Sequence, residues 1–380
     1  MPEAVVDRAA SALQPTAVLV VSQRPRPGLG RILPMFEALG VPAVALQVGQ
    51  IGRSLPPPFH GAPHEVAVLA IDPESVRAAW LAGAGLVAGL GSGLHGAALR
   101  QAGAELLLEA PSEIGSGTLL SAYAEKFASL PPPALAAWRD RSLALMFDFD
   151  GTLAPLPQRP ADGRLPAAMR EQLVRLSARH PLAVVSGRAL ADLSARLALP
   201  AAYLGGNHGL ELRAAGYDPE PLAQPAGWQP LLDAVHERLA ELPAQCPGCV
   251  VEHKGLTLAV HYRQVAAPAV PALRRAVVRA VAGFDGLLVE TGRQVLEVRP
   301  AIDCDKGTAV TRLHERMQRL LGPCTPLFFG DDLADEAAFR AVRRAGGFGV
   351  LIAETGRPTA ASCRLDSPDA LLAALDALLG

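Results

Sequence analysis

A chain of 380 residues, half of them apolar, is long enough to bury a large core and to form two or three compact units. The formal net charge of -2 and the aromatic content of 4% do not favour nucleic acid or an anionic membrane surface as partners. No apolar run has the length of a membrane span, and Glu3 and Asp7 do not fit a secretion signal, so we predict a cytoplasmic location.

The first third of the chain alternates between apolar strands and helices, which is typical of an α/β domain. We predict strands at 17–22, 43–48, 66–71, 85–89 and 104–109, and helices at 28–39, 73–83, 95–102 and 118–129. The first strand ends in Val20-Val-Ser-Gln and carries no paired carboxylates, so we predict a non-catalytic domain over residues 1–135. Gly89-Leu-Gly-Ser-Gly fits a strand-to-helix turn better than a phosphate-binding loop.

Two aspartates follow a buried strand at 143–147. The continuous apolar run Leu143-Ala-Leu-Met-Phe is typical of a central parallel strand. Asp148 and Asp150 are two residues apart, so an extended backbone would project both carboxylates from one side, and Gly151 lets the chain turn away. Carboxylates this close repel each other unless a cation or a proton compensates. This arrangement favours a phosphoryl-transfer site over a simple Asp-Gly turn.

The pattern of elements changes between 215 and 294. Before it we predict helices at 165–179 and 189–197 and a strand from Leu182. Within it we predict helices near 228–241 and 268–282 and strands near 249–253, 256–262, 286–290 and 294–299. After it the wound-sheet pattern resumes, with helices at 306–320, 333–344 and 368–379 and strands at 325–329 and 348–352. We therefore predict a discontinuous catalytic core, 138–214 and 295–380, with an inserted α+β cap at 215–294.

Other strand ends and helix starts supply the remaining groups that phosphoryl transfer needs. Ser186 follows the second core strand and Lys306 opens a helix. Asp331 and Asp332 follow a later strand, with Asp335 one turn further on. The reaction requires a nucleophile, a cation, a hydrogen-bonding cradle and a proton carrier, and each requirement has a candidate. Any one fragment alone fits a common turn or helix cap, but together and in this order they predict a phosphoryl-transfer site.

These motifs resemble the haloacid-dehalogenase-like superfamily and, within it, the trehalose-6-phosphate phosphatases. The matching segments are Phe147-Asp-Phe-Asp-Gly-Thr-Leu-Ala-Pro, Val185-Ser-Gly-Arg, Gly206-Asn-His-Gly-Leu-Glu, Glu252-His-Lys, Val260-His-Tyr-Arg, Leu296-Glu-Val-Arg-Pro, Asp305-Lys-Gly and Phe329-Gly-Asp-Asp-Leu-Ala-Asp-Glu. The resemblance implies an α/β fold, a Rossmann-like parallel-sheet core with an inserted α+β cap. Because residues 85–109 resemble the back half of such a core, we interpret the amino-terminal domain as a degenerate relative.

The resemblance also implies an activity and the residues that carry it. The implied enzyme is a Mg²⁺-dependent phosphatase that hydrolyses trehalose 6-phosphate through an aspartyl phosphate, in trehalose biosynthesis. Asp148 would be the nucleophile and Asp150 the proton carrier, while Ser186 and Lys306 would bind the phosphoryl oxygens. The implied metal ligands and their supports are Asp148, the backbone carbonyl of Phe149, Asp150 through its backbone or indirectly, Asp331, Asp332 and Asp335.

The cap is expected to select the sugar. Glu252 and Lys254 share one face of a strand by the period of two, and such charged groups suit vicinal hydroxyls. The predicted substrate-binding set is Arg188, Asn207, His208, Glu252, Lys254, Arg263 and Glu297, with Arg299 as a further candidate. The alternative for Glu252, Lys254 and Arg263 is a surface charge ladder across strands. We interpret His253, His261 and His314 as structural or solvent-facing, and Cys246-Pro-Gly-Cys as a turn that carries two thiols.

The expected partner is a small-molecule sugar phosphate, and several other functions stay open. The same core and cap would suit a phosphatase acting on sucrose phosphate or a glycosyl-phosphoglycerate. A mutase is less favoured, because its cap must exclude water from the intermediate. A catalytically silent sugar-phosphate sensor belongs to a different class, and the filled catalytic positions speak against it.

Overall fold

The structure of the chain is a computed structural model. It describes residues 17–22, 32–33, 35–36, 43–47, 66–82, 84–115, 119, 132–157, 159–216, 220–221, 227–292, 294–357 and 359–379. The chain divides into two compact units: Met1–Pro131 with Arg343–Asp366, and Pro132–Val342 with Ser367–Gly380. Within the described residues, no helix is both long enough and apolar enough to cross a membrane.

The first unit contains a parallel five-stranded sheet in the order β2-β1-β3-β4-β5. Its elements are β1 (Ala17–Ser22), β2 (Ala43–Gln47), β3 (Val66–Ala70), α1 (Pro73–Ala82), β4 (Leu86–Leu90), α2 (Gly93–Gln101), β5 (Leu106–Leu108) and α3 (Ser112–Gly115). Alternate residues of β1 enter different apolar clusters, Val18 and Val20 in one and Leu19 and Val21 in the other. Burial on both faces explains why these strands are continuously apolar. The helices predicted at 28–39 and 118–129 lie almost entirely outside the described residues.

The second unit begins with the elements that carry the first two motifs. They are a 3-10 helix (Pro132–Trp138), β6 (Leu143–Phe147), a 3-10 helix (Pro160–Asp162), α4 (Ala167–Ser177), β7 (Leu182–Val185), α5 (Leu190–Leu197), β8 (Tyr203–Gly206), a 3-10 turn (Asn207–Gly209), β9 (Glu211–Arg213) and β10 (Glu220–Pro221). Every residue of β6 and β7 is buried, as their apolar composition predicts.

A separate four-stranded antiparallel sheet follows, in the order β11-β12-β14-β13. Its elements are α6 (Gln229–Leu239), α7 (Leu242–Gln245), β11 (Val250–His253), β12 (Leu258–His261), a 3-10 helix (Ala267–Ala269), α8 (Val270–Val281), β13 (Leu287–Gly292) and β14 (Val295–Pro300). The apolar residues of α6 and α8 share one core with β12 and β14. Cys246 and Cys249 form a turn at the edge of that core, closed by the bond from Cys249 N to Cys246 O at 3.0 Å. Both thiols are free and buried, and burial raises the pKa of Cys249 to about 11.

The rest of the chain adds one more strand to the sheet of the second unit. The remaining elements are α9 (Lys306–Leu321), β15 (Thr325–Gly330), a 3-10 helix (Leu333–Asp335), α10 (Glu336–Arg344), β16 (Phe348–Ile352), β17 (Cys363–Leu365) and α11 (Pro368–Leu379). Strands β16 and β17 fall within Arg343–Asp366 and so belong to the first unit. The strand order in the second unit is β10-β9-β8-β7-β6-β15. Strands β15, β6, β7 and β8 run parallel to one another, so their carboxyl ends meet at one edge. The fold is therefore α/β with a parallel-sheet core, as predicted.

Pairing between β6 and β15 places the first and last motifs side by side. Phe147 lies opposite Phe329 in register, and their rings stack with centroids 5.0 Å apart. Asp148 N donates to Phe329 O at 2.8 Å. The carboxylates that follow each strand are thus held at one edge by backbone pairing rather than by flexible loops.

Differences from the predicted elements have local causes. The strands at 203–206, 211–213, 220–221 and 363–365 are absent from the prediction, because runs of two to four residues show no clear periodicity. The predicted helix at 333–344 starts as a 3-10 turn, because Asp332 and Asp335 form a capping box around that turn.

Candidate active site

A cavity of about 160 Å³ opens at the carboxyl edge of the parallel strands, facing the four-stranded sheet. Its lining consists of Asp148, Asp150, Leu156, Pro157, Ser186, Gly187, Arg188, His208, Glu252, Lys254, His261, Arg263, Gln294, Val295, Lys306, Asp331, Asp332 and Ala334. The structure therefore brings together residues from most of the predicted motifs. Of the predicted substrate-binding set, Asn207 and Glu297 stay outside the lining; Asn207 is fully buried, and Glu297 is buried and pairs with the lining residues Lys254 and His208.

Lys306 lines the cavity and contacts two buried carboxylates. Asp305 caps helix α9 by accepting from Thr308 N at 2.8 Å, so Lys306 is the first helical residue and points into the site. Its Nζ donates to Asp148 Oδ1 at 2.6 Å and to Asp335 Oδ1 at 2.7 Å, and only 4% of its side chain is exposed. Burial lowers the pKa of the ammonium, but the two carboxylates outweigh this and raise the pKa well above its ordinary value. Lys306 is therefore a fixed positive charge.

Three buried carboxylates surround that single ammonium. Oxygens of Asp148, Asp331 and Asp335, here called the carboxylate cluster, lie within 4.8 Å of one another. Burial raises the pKa of Asp148 well above its ordinary value, Lys306 opposes this, and the carboxylates of Asp335 and Asp331 raise it further. The cluster thus holds more negative charge than Lys306 neutralises. An all-oxygen donor set with surplus negative charge fits a hard divalent cation.

Gly151 is what allows Asp331 to approach the first motif. A Cβ atom at position 151 would lie 2.2 Å from Asp331 Oδ2, and Gly151 has a φ of +94°. Any other residue would clash and would also adopt a strained backbone conformation.

The other predicted metal ligands have hydrogen-bond partners of their own. The carbonyl of Phe149 accepts from Leu153 N and Ala154 N, both at 3.0 Å, which occupies its two lone pairs and argues against its prediction as a ligand. Asp332 Oδ1 accepts from Leu333 N at 2.7 Å. Asp335 Oδ2 accepts from the backbone N–H of Asp331 and of Asp332, at 3.0 and 2.9 Å. Asp335 therefore shapes this loop as well as holding Lys306.

Asp150 is engaged by Arg188. The Nε and Nη2 atoms of Arg188 donate to the two oxygens of Asp150 at 2.6 and 2.7 Å, and Nη1 donates to Asp192 Oδ2 at 2.8 Å. Burial lowers the pKa of the guanidinium, but the bonds to Asp150 and Asp192 outweigh this and raise it. Both oxygens of Asp150 are therefore occupied by one guanidinium in this arrangement.

Ser186 lies at the end of β7 and is 2% exposed. Its Oγ accepts from Arg188 N at 3.3 Å, and its carbonyl accepts from His208 N at 2.9 Å. Ser186 therefore links the second motif to the turn at 207–209 while its side chain lines the cavity.

Glu297 lies outside the cavity lining and joins three elements. It accepts from Lys254 Nζ at 2.9 Å and pairs with His208 Nε2, while Lys254 also donates to Gly187 O at 2.8 Å. Burial raises the pKa of Glu297, but His208 and Lys254 outweigh this and hold the pKa far below its ordinary value of 4.5. Lys254 has only 7% of its side chain exposed, which excludes the surface-ladder alternative for this residue.

Replacing Glu297 by Gln is expected to lower the free energy of unfolding at pH 7 by about 3 kcal/mol, because Lys254 would then be buried without its counter-charge. The pKa of Glu297 is depressed by folding, so its contribution is present above the unfolded value of 4.5 and is lost as the pH falls below it. Urea unfolding of both proteins at several pH values measures this. The exposed Glu315→Gln change is the control, and a difference that does not shrink in acid would contradict the prediction.

His261, interpreted from the sequence as structural or solvent-facing, is part of the cavity wall. His261 lines the cavity and its Nε2 lies 3.0 Å from Glu252 Oε2. Burial raises the pKa of Glu252, but His261 and Lys254 outweigh this and lower it. His261 is the last residue of β12, and Arg263, two positions later, lies in the turn that follows and also lines the cavity.

Strand β14 and the loop before it also contribute to the lining, through Val295 and Gln294. Arg263 Nε donates to Gln294 Oε1 at 3.0 Å, and Arg263 also donates to Pro157 O. Sequence reasoning did not identify Gln294 or Pro157, because neither residue type carries a chemical signature. Arg299 lies outside the lining and instead pairs with Glu290 at 2.6 Å.

Comparison with known proteins places this site in context. A family model described as trehalose-phosphatase matches residues 146–369. A trehalose-phosphate phosphatase of Mycobacterium avium is 38% identical over 356 residues, covering 87% of this chain and 90% of that protein. One of Mycobacterium tuberculosis is 34% identical over 343 residues, covering 86% of this chain and 85% of that protein.

Solved structures give the same fold. The C-terminal domain of a Candida albicans trehalose-6-phosphate phosphatase aligns with a TM-score of 0.59 and 24% identity, covering 67% of this chain and 98% of that chain. A trehalose-6-phosphate phosphatase related protein aligns with a TM-score of 0.53 and 23% identity, covering 61% and 95%.

Proposed function

The chain belongs to the trehalose-phosphatase family and is a phosphoric monoester hydrolase, and from this we propose that it hydrolyses trehalose 6-phosphate to trehalose and phosphate with Mg²⁺ as cofactor. One observation carries the proposal: the two ends of a single cavity have different chemistry. One end presents Lys306 and the carboxylate cluster, which suit a phosphoryl group. The other presents Glu252, Lys254 and Arg263, which suit sugar hydroxyls.

The phosphoryl end can perform the reaction in two displacements. A carboxylate oxygen of Asp148 attacks phosphorus, a bond to that oxygen forms, and the bond between phosphorus and the sugar oxygen breaks. Asp150 donates a proton to the departing sugar oxygen. Asp150 then takes a proton from water, which attacks phosphorus, releases phosphate and regenerates Asp148. The Lys306 ammonium and the Ser186 hydroxyl hold phosphoryl oxygens throughout.

Arg188 determines when Asp150 can act. In the substrate-free arrangement both oxygens of Asp150 are occupied by Arg188. Proton transfer therefore requires that this ion pair opens. The phosphoryl group of the substrate replaces Asp150 as the partner of the guanidinium, because phosphate oxygens can accept two parallel hydrogen bonds from arginine, as a carboxylate does. Binding of substrate thus frees Asp150, which then takes a proton from solvent and can donate it to the departing sugar oxygen.

Mg²⁺ would be held by Asp148 and Asp331, where it would neutralise the oxygens of the transferring group. Asp335 supports this arrangement by fixing Lys306 and the backbone of Asp331 and Asp332.

The domain boundaries remain part of the proposal. The core comprises 138–214 and 295–380, and residues 215–294 form the cap that selects the sugar. The cap supplies Glu252, Lys254 and Arg263, which supports this division. Residues 1–135 are a degenerate, non-catalytic relative of the core, and the cytoplasmic location remains a prediction.

A phosphate-release screen tests the function. With Mg²⁺, kcat/KM for trehalose 6-phosphate is expected to exceed that for glucose 6-phosphate by about 100-fold, since the second sugar ring adds contacts that must be paired. It should also exceed that for sucrose 6-phosphate, because the second ring of sucrose is a furanose and places its hydroxyls differently. A chelator should abolish release and Mg²⁺ should restore it. No release from trehalose 6-phosphate, with good turnover of another sugar phosphate, would refute the substrate assignment. Sugar isomerisation without free phosphate would favour a mutase, and binding without turnover a sensor.

A further inference from the structure

Thr257 is a buried polar residue that lies outside the cavity lining and that the mechanism does not use. It is 0% exposed and stands at the start of β12. Its carbonyl accepts from Lys254 N at 2.9 Å, which closes the turn at 254–257. Its hydroxyl donates to Asn207 Oδ1 at 3.0 Å. The four-stranded sheet is therefore joined to the parallel-sheet edge by a buried side-chain hydrogen bond.

Asn207 is held from several directions at once. It is 0% exposed, its Nδ2 donates to Glu211 Oε2 at 2.8 Å and to Lys254 O at 3.4 Å, and its backbone N–H donates to Arg188 O at 2.7 Å. The residue and its successor His208 have φ values of 49° and 57°, in the left-handed region. Consecutive non-glycine residues in that region persist only where their surroundings fix them. The hydroxyl of Thr257 supplies one of those fixing contacts.

Both partners of Glu297 depend on this contact. His208 follows Asn207 directly, and Lys254 opens the turn that Thr257 closes. His208 and Lys254 reach Glu297 from opposite sides of the junction. The position of the Thr257 hydroxyl therefore sets the relative placement of His208 and Lys254, which line the cavity, and of Glu297, which pairs with both.

We propose that Thr257 is a positioning residue for sugar recognition. Its hydroxyl fixes the position of the 254–257 turn relative to Asn207. The inference rests on the proposed function, because it assigns the sugar end of the cavity to the substrate. It concerns a residue that touches no substrate itself, so its effect should depend on whether the substrate uses the sugar end.

Two substrates and three variants test this. Trehalose 6-phosphate uses both ends of the cavity, whereas p-nitrophenyl phosphate offers no hydroxyls to the sugar end. Thr257→Val keeps the shape and removes the hydroxyl, Thr257→Ser keeps the hydroxyl, and Thr291→Val changes an exposed threonine of the same sheet. Kinetic constants for each protein are measured with both substrates, together with its melting temperature.

Thr257→Val is expected to lower kcat/KM for trehalose 6-phosphate by about tenfold or more, mainly through KM, because a displaced contact weakens binding. The change for p-nitrophenyl phosphate should stay within about twofold, and Thr257→Ser should restore most of the activity. Equal losses on both substrates, or no loss with trehalose 6-phosphate, would overturn the proposal. If Thr257→Val does not fold, the ratio of kcat/KM between the two substrates is measured with Thr257→Ala instead.

The wild-type protein separates this inference from the function on which it rests. If it does not hydrolyse trehalose 6-phosphate, the proposed function fails, and the variants are compared on the sugar phosphate that it does hydrolyse. The ratio of kcat/KM for that substrate to kcat/KM for p-nitrophenyl phosphate, compared between the wild type and the variants, then decides the role of Thr257.

Discussion

Replacing Asp148 by Asn is expected to reduce phosphate release from trehalose 6-phosphate by at least about 10⁴-fold, since an amide oxygen cannot form the covalent bond to phosphorus. The fold should persist. Asp148 is one of three buried carboxylates around one ammonium, so neutralising it relieves repulsion with Asp331 and Asp335. Lys306 keeps its bond to Asp335 at 2.7 Å. The melting temperature is therefore expected to stay the same or to rise.

Phosphate release and thermal unfolding of purified Asp148→Asn protein measure both effects. The exposed Asp140→Asn change, three residues before the start of β6, is the matched control and should leave both quantities unchanged. Activity of Asp148→Asn within tenfold of the wild type would rule out this residue as the nucleophile. A large fall in melting temperature would contradict the charge argument.

Replacing Lys306 by Met is expected to remove activity and stability together. Activity should fall by about 10³-fold, because the charge that holds the phosphoryl oxygens is lost. The free energy of unfolding should fall by about 3 to 5 kcal/mol, because Asp148 and Asp335 would remain buried without a counter-charge. Their oxygens lie 2.6 and 2.7 Å from Nζ, and only 4% of the lysine side chain is exposed, so water cannot replace it.

Urea unfolding and phosphate release of Lys306→Met separate these two effects. Arg319→Met, at the exposed end of the same helix, is the control and should cost less than about 1 kcal/mol. Adding Asp148→Asn to Lys306→Met should recover part of the lost stability, because one uncompensated carboxylate is removed. A Lys306→Met protein as stable as the wild type would show that solvent or ions compensate the carboxylates.

The phosphoryl end of the site is predictable from the sequence because its residues follow from local rules. Asp148, Ser186 and Asp331 each come directly after a buried strand, and parallel strands bring such positions to one edge. Lys306 is predictable for a similar reason, since a capping aspartate marks the start of its helix.

The pair between Asp150 and Arg188 has no such signature. The two residues are 38 positions apart, and the direction of the guanidinium depends on how the loop after β7 packs. The sequence likewise gives no sign that Asn207 and His208 adopt left-handed conformations, because tertiary contacts rather than local preference hold them there. The sugar end depends on such contacts between distant elements, so its geometry emerges only from the structure.

The ion pair between Arg188 and Asp150 also makes Asp150 an internal competitor of phosphate. A tethered carboxylate acts on its partner at an effective concentration of about millimolar or higher. Any phosphate group that binds Arg188 must displace it, so affinity for the substrate and for released phosphate is lowered alike. When phosphate departs, Asp150 reoccupies the guanidinium. The arrangement thus favours rapid release of product over tight binding.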